Sequence, residues 1–263
     1  MSEGERVLAP AAREFYRSAM RALGAAGIRF LVGGAYCLER YTGIVRDTKD
    51  FDIFVHPSDQ ERVVRVLEGE GYRTELTFPH WLGKAHLGDH FVDIIFSSGN
   101  GVAIVDNEWF KHAVDDEVLG IPAKLCPAEE TIWSKAFIQE RERFDGSDVA
   151  HILRVRAATL DWDRLLRRFG PDWRVLLSHL VLFGFVYPSE RASIPECVMK
   201  ELLRRLEGEL ADPGDRRLCR GTILSRSQYR LDVEEWGYED PRICPEGNMT
   251  REETERWTSA GCR

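Results

Sequence analysis

Three aspartates and a pair of glycines are the residues of this 263-residue chain whose types and spacing could do chemistry. Asp50 and Asp52 lie in Asp50-Phe51-Asp52-Ile53-Phe54-Val55, where period-two alternation predicts a strand with unlike faces. Both aspartates then share one face, and Phe51, Ile53 and Val55 point into the buried one. Asp93 stands alone in the otherwise apolar strand Phe91-Val92-Asp93-Ile94-Ile95-Phe96, where a charge without a partner is costly. A divalent metal is a suitable partner, since magnesium prefers carboxylate oxygens. Two such ions roughly 3.5–4 Å apart stabilise both ends of an in-line displacement. Asp93 is also a candidate acceptor for the proton of an incoming hydroxyl. Ahead of the aspartates, Gly33-Gly34 leaves a strand and enters a helix, so that the backbone can approach a phosphate at the positive end of the helix dipole.

The elements that must hold these residues are legible in the pattern around them. Ala12, Phe15, Ala19, Leu23 and Ala26 form one apolar stripe of a helix over 9–26 that ends at Gly27. A short strand over 28–32 and a brief helix over 35–41 bracket the two glycines, and the loop 42–49 carries the chain to Asp50. Ser58 with Glu61 reads as a capping box, opening a helix that Gly71 stops. Strands are expected over 72–78, 84–87 and 90–96, with Gly88-Asp89 as a tight turn between the last two. The fold class is therefore α/β (α+β), a small mixed sheet with flanking helices over residues 1–126. A mainly helical domain over 127–220 follows, with candidate helices at 148–156, 162–169, 173–185 and 195–210. Glu129 and Glu130 suit the first turn of its opening helix by the dipole. Residues 221–263 read as an acidic tail without clear periodicity.

Composition narrows the function classes. At 43% hydrophobic and 30% charged residues the chain can bury a sizeable core. No apolar run approaches the roughly 18–20 residues that span a bilayer, and the polar start shows no apolar signal core, so a cytoplasmic location and no membrane partner are expected. The net charge of -8 argues against bulk electrostatic coating of nucleic acid. Residues 141–230 are mildly basic, with 17 Arg or Lys against 13 Asp or Glu, and on solvated helix faces such a surplus has no binding role. The arginines and tryptophans of 162–174 are in the same way expected to build core rather than stack on RNA. The six cysteines have neither metal-ligand spacing nor the density of a disulfide scaffold. His80, His86 and His90 lie on a strand hairpin, which does not produce the helical spacing of zinc enzymes, so zinc is not expected.

Strand, Gly-Gly, short helix, Arg46-Asp47-Thr48-Lys49-Asp50-Phe51-Asp52 and an isolated Asp93 together resemble the nucleotidyltransferase superfamily that includes DNA polymerase beta and the antibiotic nucleotidyltransferases. The stretch GGAYCLERYTGIVRDTKDFDIFV is similar to its Gly-Gly to Asp-x-Asp signature, in the Arg-x-Thr-x-Asp-x-Asp form of abortive-infection and toxin-type members. The resemblance spans about residues 20–155. It implies metal ligation by Asp50, Asp52 and Asp93, and nucleotide contacts by Gly33, Gly34 and Lys135. Lys135 reads equally as an exposed helix lysine, and Arg46 and Lys49, beside the carboxylates, read equally as phosphate contacts or as charges that neutralise acid. Gly34 stands where many members carry Ser, and 141–148, with Arg141 and Asp145, follows the pattern only loosely.

The expected function is Mg2+-dependent transfer of a nucleoside monophosphate from a nucleoside triphosphate such as ATP to a hydroxyl on a protein, a tRNA or other RNA, or a small molecule. The toxin-like form of the motif adds a neutralising partner protein as a candidate partner. The alternative from another class is a catalytically silent domain that binds nucleotide or protein, against which the retention of all three carboxylates weighs. A sugar-nucleotide glycosyltransferase also uses Asp-x-Asp, but the upstream glycines and Asp93 are no part of that arrangement.

Overall fold

The computed structural model describes residues 8–46, 48, 50–210 and 216–260. The chain divides into two compact units, with the boundary between Pro127 and Ala128.

In the first unit, α1 (Pro10–Ala25) opens with a proline, whose missing N–H is no loss in a first turn. Phe15, Tyr16, Ala19, Met20 and Leu23 form its buried side. There follow β1 (Phe30–Val32), α2 (Gly34–Thr42), β2 (Asp52–Val55), α3 (Gln60–Gly69), β3 (Arg73–Phe78), β4 (Leu82–Leu87), β5 (His90–Ile95), α4 (Asn107–Lys111), β6 (Val114–Val118) and β7 (Ile121–Leu125). The strands make one mixed sheet in the order β3-β4-β5-β2-β1-β7-β6, with β2 at its centre. β2 runs antiparallel to β1 and parallel to β5, and the second pairing sets Asp52 directly beside Asp93. Phe51, Ile53 and Val55 are fully buried, and the Phe51 ring stacks on Tyr16 of α1 at 4.8 Å. Asp52 and Phe54 alternate with them onto the other face, where Phe54 stacks on Trp109 of α4 at 5.4 Å.

Three local expectations change. Asp50 precedes β2 instead of lying in it, because the antiparallel partner β1 ends at Val32, where Gly33 turns into α2 and donates to the Asp52 carbonyl at 3.0 Å. No Ser58–Glu61 capping box forms: a 3-10 turn at Pro57–Asp59 precedes α3, and the His56 ring accepts the Ser58 N–H at 3.2 Å. The third difference is that 97–126, without assigned elements in the sequence reading, supplies α4 and the β6–β7 hairpin, and β7 extends the sheet by pairing parallel with β1.

The second unit begins with α5 (Ala128–Ala136), α6 (Gly146–Arg156), α7 (Trp162–Phe169), α8 (Trp173–Val186) and α9 (Glu196–Glu209). Glu129 and Glu130 do more than complement a dipole: both are buried, and both pair with Arg164 of α7, while Arg168 holds Glu130 at 2.9 Å. The stretch after Gly221, which shows no periodicity, carries α10 (Gly221–Leu224), α11 (Arg230–Glu234) and α12 (Arg251–Ser259). Its acids are used internally. Asp240 accepts from the buried Arg242 guanidinium at 2.6 Å, and Glu253 completes a capping box with Thr250.

Candidate metal centre

The two parallel strands at the middle of the sheet bring the predicted carboxylates together. Asp50, Asp52 and Asp93 each offer a ligand oxygen, and these oxygens all lie within 4.8 Å of one another. Among the described residues they are the one such group of three or more His, Cys, Asp or Glu. Asp52 and Asp93 reach it by register: in a parallel pair, residues side by side point to the same face. Asp50 reaches it from the loop. The Thr48 hydroxyl donates to an Asp50 carboxylate oxygen, and the Asp50 N–H returns to the same hydroxyl at 3.4 Å, so a short turn aims the side chain. Three hard oxygen donors converging on one point suit a divalent cation such as magnesium.

Gly33 and Gly34 bring the start of α2 down onto this face of β2. A Cβ at Gly34 would stand 1.6 Å from an Asp52 carboxylate oxygen, and its φ of +54° is one that L side chains rarely adopt. At Gly33 a Cβ would meet the Phe54 ring at 2.2 Å. The pair is therefore required by close approach as well as by the turn. Successive turns of α2 are anchored to the residue that follows β7, since the Tyr41 hydroxyl and the Cys37 thiol both donate to the Cys126 carbonyl, at 2.6 and 3.3 Å.

Asp93 is 9% exposed, and its backbone N–H donates to the Phe51 carbonyl at 2.9 Å. Burial pushes its carboxyl above the usual range, and the Lys84 ammonium, bonded to Oδ1, works against that push. Lys84 is the functional residue that sequence reasoning missed. It faces Asp93 in the β4–β5 ladder and lies 4.2 Å from the Phe91 ring centroid. A signal for it existed: the two-residue turn Gly88-Asp89 pairs Leu87 with His90, and counting back along the hairpin pairs Lys84 with Asp93.

The predicted nucleotide contacts fall in different places. Arg46 is described and half-buried in the loop ahead of Asp50, and Lys49 lies outside the described residues. Lys135 belongs to the second unit, on α5, where its ammonium bonds Asp145 and Asp148, each at 2.8 Å. Burial works against that ammonium, but the two carboxylates outweigh it and raise its pKa. Burial likewise disfavours charge on Asp145, yet Arg143 and Lys135 hold its carboxyl below the usual range.

No family model and no curated protein matches the chain. Among solved structures it is similar to an antigenic nucleotidyltransferase-like protein from Paracoccidioides brasiliensis, at 14% identity and a TM-score of 0.47 over 73% of this chain and 99% of that one. It is also similar to the lincosamide antibiotic adenylyltransferase LnuA with lincomycin bound, at 15% identity and a TM-score of 0.40 over 57% of this chain and 99% of that one. The antibiotic-resistance factor ANT(2'')-Ia is a third, at 15% identity and a TM-score of 0.38 over 76% of this chain and 96% of that one. These are likenesses of architecture.

Proposed function

We propose that the first unit transfers a nucleoside monophosphate from a nucleoside triphosphate to a hydroxyl, with release of pyrophosphate, in a magnesium-dependent reaction. The observation that carries this reading is the convergence of Asp50, Asp52 and Asp93 beside the glycine-formed start of α2.

In this reading Asp50 and Asp52 are the ligands of the nucleotide-bound ion. Magnesium supplies charge neutralisation of the triphosphate and of the departing pyrophosphate. Gly33 and Gly34 let the start of α2 lie against the carboxylates, where its N–H groups are proposed to receive a phosphate, and Arg46, Lys49 and Lys135 are proposed phosphate contacts. Asp93 takes the proton as the acceptor oxygen bonds to the α-phosphorus and the bond from that phosphorus to the bridging oxygen breaks. The acceptor is a hydroxyl of a protein, an RNA or a small molecule.

A second reading, a domain that binds nucleotide or a partner protein without transfer, draws on the Lys84–Asp93 pair, because that pair engages the proposed proton acceptor. Incubating the protein with each labelled triphosphate, magnesium and a cell extract separates the two. Transfer labels a protein, RNA or small-molecule band and names the acceptor class. Asp93→Asn should abolish labelling and, by calorimetry, leave most of the triphosphate binding with magnesium intact. A native protein that binds no triphosphate with magnesium would overturn the transferase reading.

A further inference from the structure

Lys84 is built into the sheet. Its Cα stands opposite that of Asp93 in the middle of the β4–β5 ladder. Its side chain is 21% exposed, and the ammonium bonds Asp93 Oδ1 while lying 4.2 Å from the Phe91 ring centroid. The ring face attracts the same positive charge. A lysine held by register, ion pair and ring is a fixed cation.

In a two-metal centre, carboxylates shared between the ions must offer oxygens to both, and the second ion neutralises charge on the acceptor side. Here Asp93 Oδ1 already receives the ammonium, which takes one of its lone pairs and sets a positive charge beside that oxygen. A second dication drawn to the same carboxylate would meet like charge from Lys84 in a partly buried setting, where screening by water is weak.

We propose that Lys84 takes the part of the second divalent ion at Asp93, so that the Asp50–Asp52–Asp93 cluster holds one metal ion instead of two. This rests on the metal-dependent reading above and sharpens it. Lys84 is thereby a positioning residue: it fixes the orientation of the Asp93 carboxylate and leaves the oxygen opposite the ammonium for the ion or for the acceptor proton.

Titration of the full chain with Mn2+ alone, followed by electron paramagnetic resonance, tests this without any turnover. Loss of the free-ion signal counts bound ions, and two neighbouring ions add a spin-coupled spectrum. The wild-type protein should bind one Mn2+ per chain with no coupled spectrum, and Lys84→Arg, which keeps the charge, should do the same. Lys84→Met should bind two with coupling. Should that variant not fold, Lys84→Gln carries the same expectation. Two coupled ions in the wild type would overturn the role of Lys84 and leave the metal-dependent reading standing. A charge-free variant that still binds one ion would reduce Lys84 to a structural partner of Asp93. No bound Mn2+ in the wild type would overturn the metal-dependent reading itself, and this inference with it.

Discussion

Each unit of the chain gathers carboxylates, but around different centres. In the first, Asp50, Asp52 and Asp93 point at one another, their ligand oxygens within 4.8 Å. In the second, the carboxylates point at cations: Glu129 and Glu130 close on Arg164, with Arg168 beside them, and Asp145 and Asp148 close on Lys135. An acid around a cation is satisfied by the fold and contributes to holding it, whereas converging acids repel one another, a repulsion that the Lys84 ammonium offsets at Asp93. The contrast sets a structural use of charge beside the binding use proposed for the first unit.

The largest expected effect follows from removing one of the converging acids. Asp52→Asn should slow transfer on the order of a thousandfold, about 4 kcal/mol of barrier. Mn2+ binding by the folded variant should fall with it. A marked fall in melting temperature would place Asp52 with the structural acids and dissolve the contrast.

Glu130→Gln should do the opposite, leaving Arg164 and Arg168 buried without their full partner. Urea unfolding should show a loss of about 3–5 kcal/mol, while Mn2+ binding by the folded protein is unchanged.

Lys135 tests the boundary between the two uses, since it is ion-paired and also a proposed phosphate contact. Lys135→Met should destabilise by about 3 kcal/mol. A variant that instead keeps its stability and loses triphosphate affinity would move Lys135 to the binding side. The pH dependence has a defined sign. Asp145 is held below its unfolded value of about 3.9, so the unfolded chain binds the proton more readily. Its stabilising contribution is complete above about pH 5 and is lost as pH falls through the folded pKa. The raised pKa of Lys135 gives a contribution complete below about pH 9 and lost as pH rises beyond its unfolded value of about 10.4 and through the folded one. Lys135→Met should flatten both edges in denaturation measured across pH.

The smallest effect is expected at the turn that aims Asp50. Thr48→Val removes the hydroxyl that both donates to the Asp50 carboxylate and accepts its N–H, about 1–2 kcal/mol together, and should weaken Mn2+ binding severalfold by calorimetry with no change in the number of ions bound.

Most of this contrast was legible where period and type agreed. Alternation in Asp52–Val55 and the lone acid of His90–Ile95 located both strands of the centre, and α7 runs over the same residues, Trp162–Phe169, that its apolar spacing marks. Asp50 was assigned to the strand because alternation does not report where a neighbouring strand ends. The β6–β7 hairpin carries only half of a turn signal, since Gly120 at a φ of 78° is preceded by Leu119 at a φ of 54°, a residue type that gives none. The polar run Asp115, Asp116, Glu117 likewise lacks the apolar face of a buried strand. The ion pairs of the second unit join residues as far apart as Glu130 and Arg168, and no local pattern encodes such a pairing.

The close approach at Gly34 also bears on how this sequence can drift. Every single-base change that replaces a glycine by another amino acid adds a Cβ, and at position 34 that atom would strike the Asp52 carboxylate. Gly69, in the same unit, has nothing within 4 Å of where its Cβ would be, and can change to Ala without steric cost. The two glycines are one mutation from alanine alike. In a population of descendants, position 69 should wander, while position 34 should change only where the Asp52 side chain has changed first.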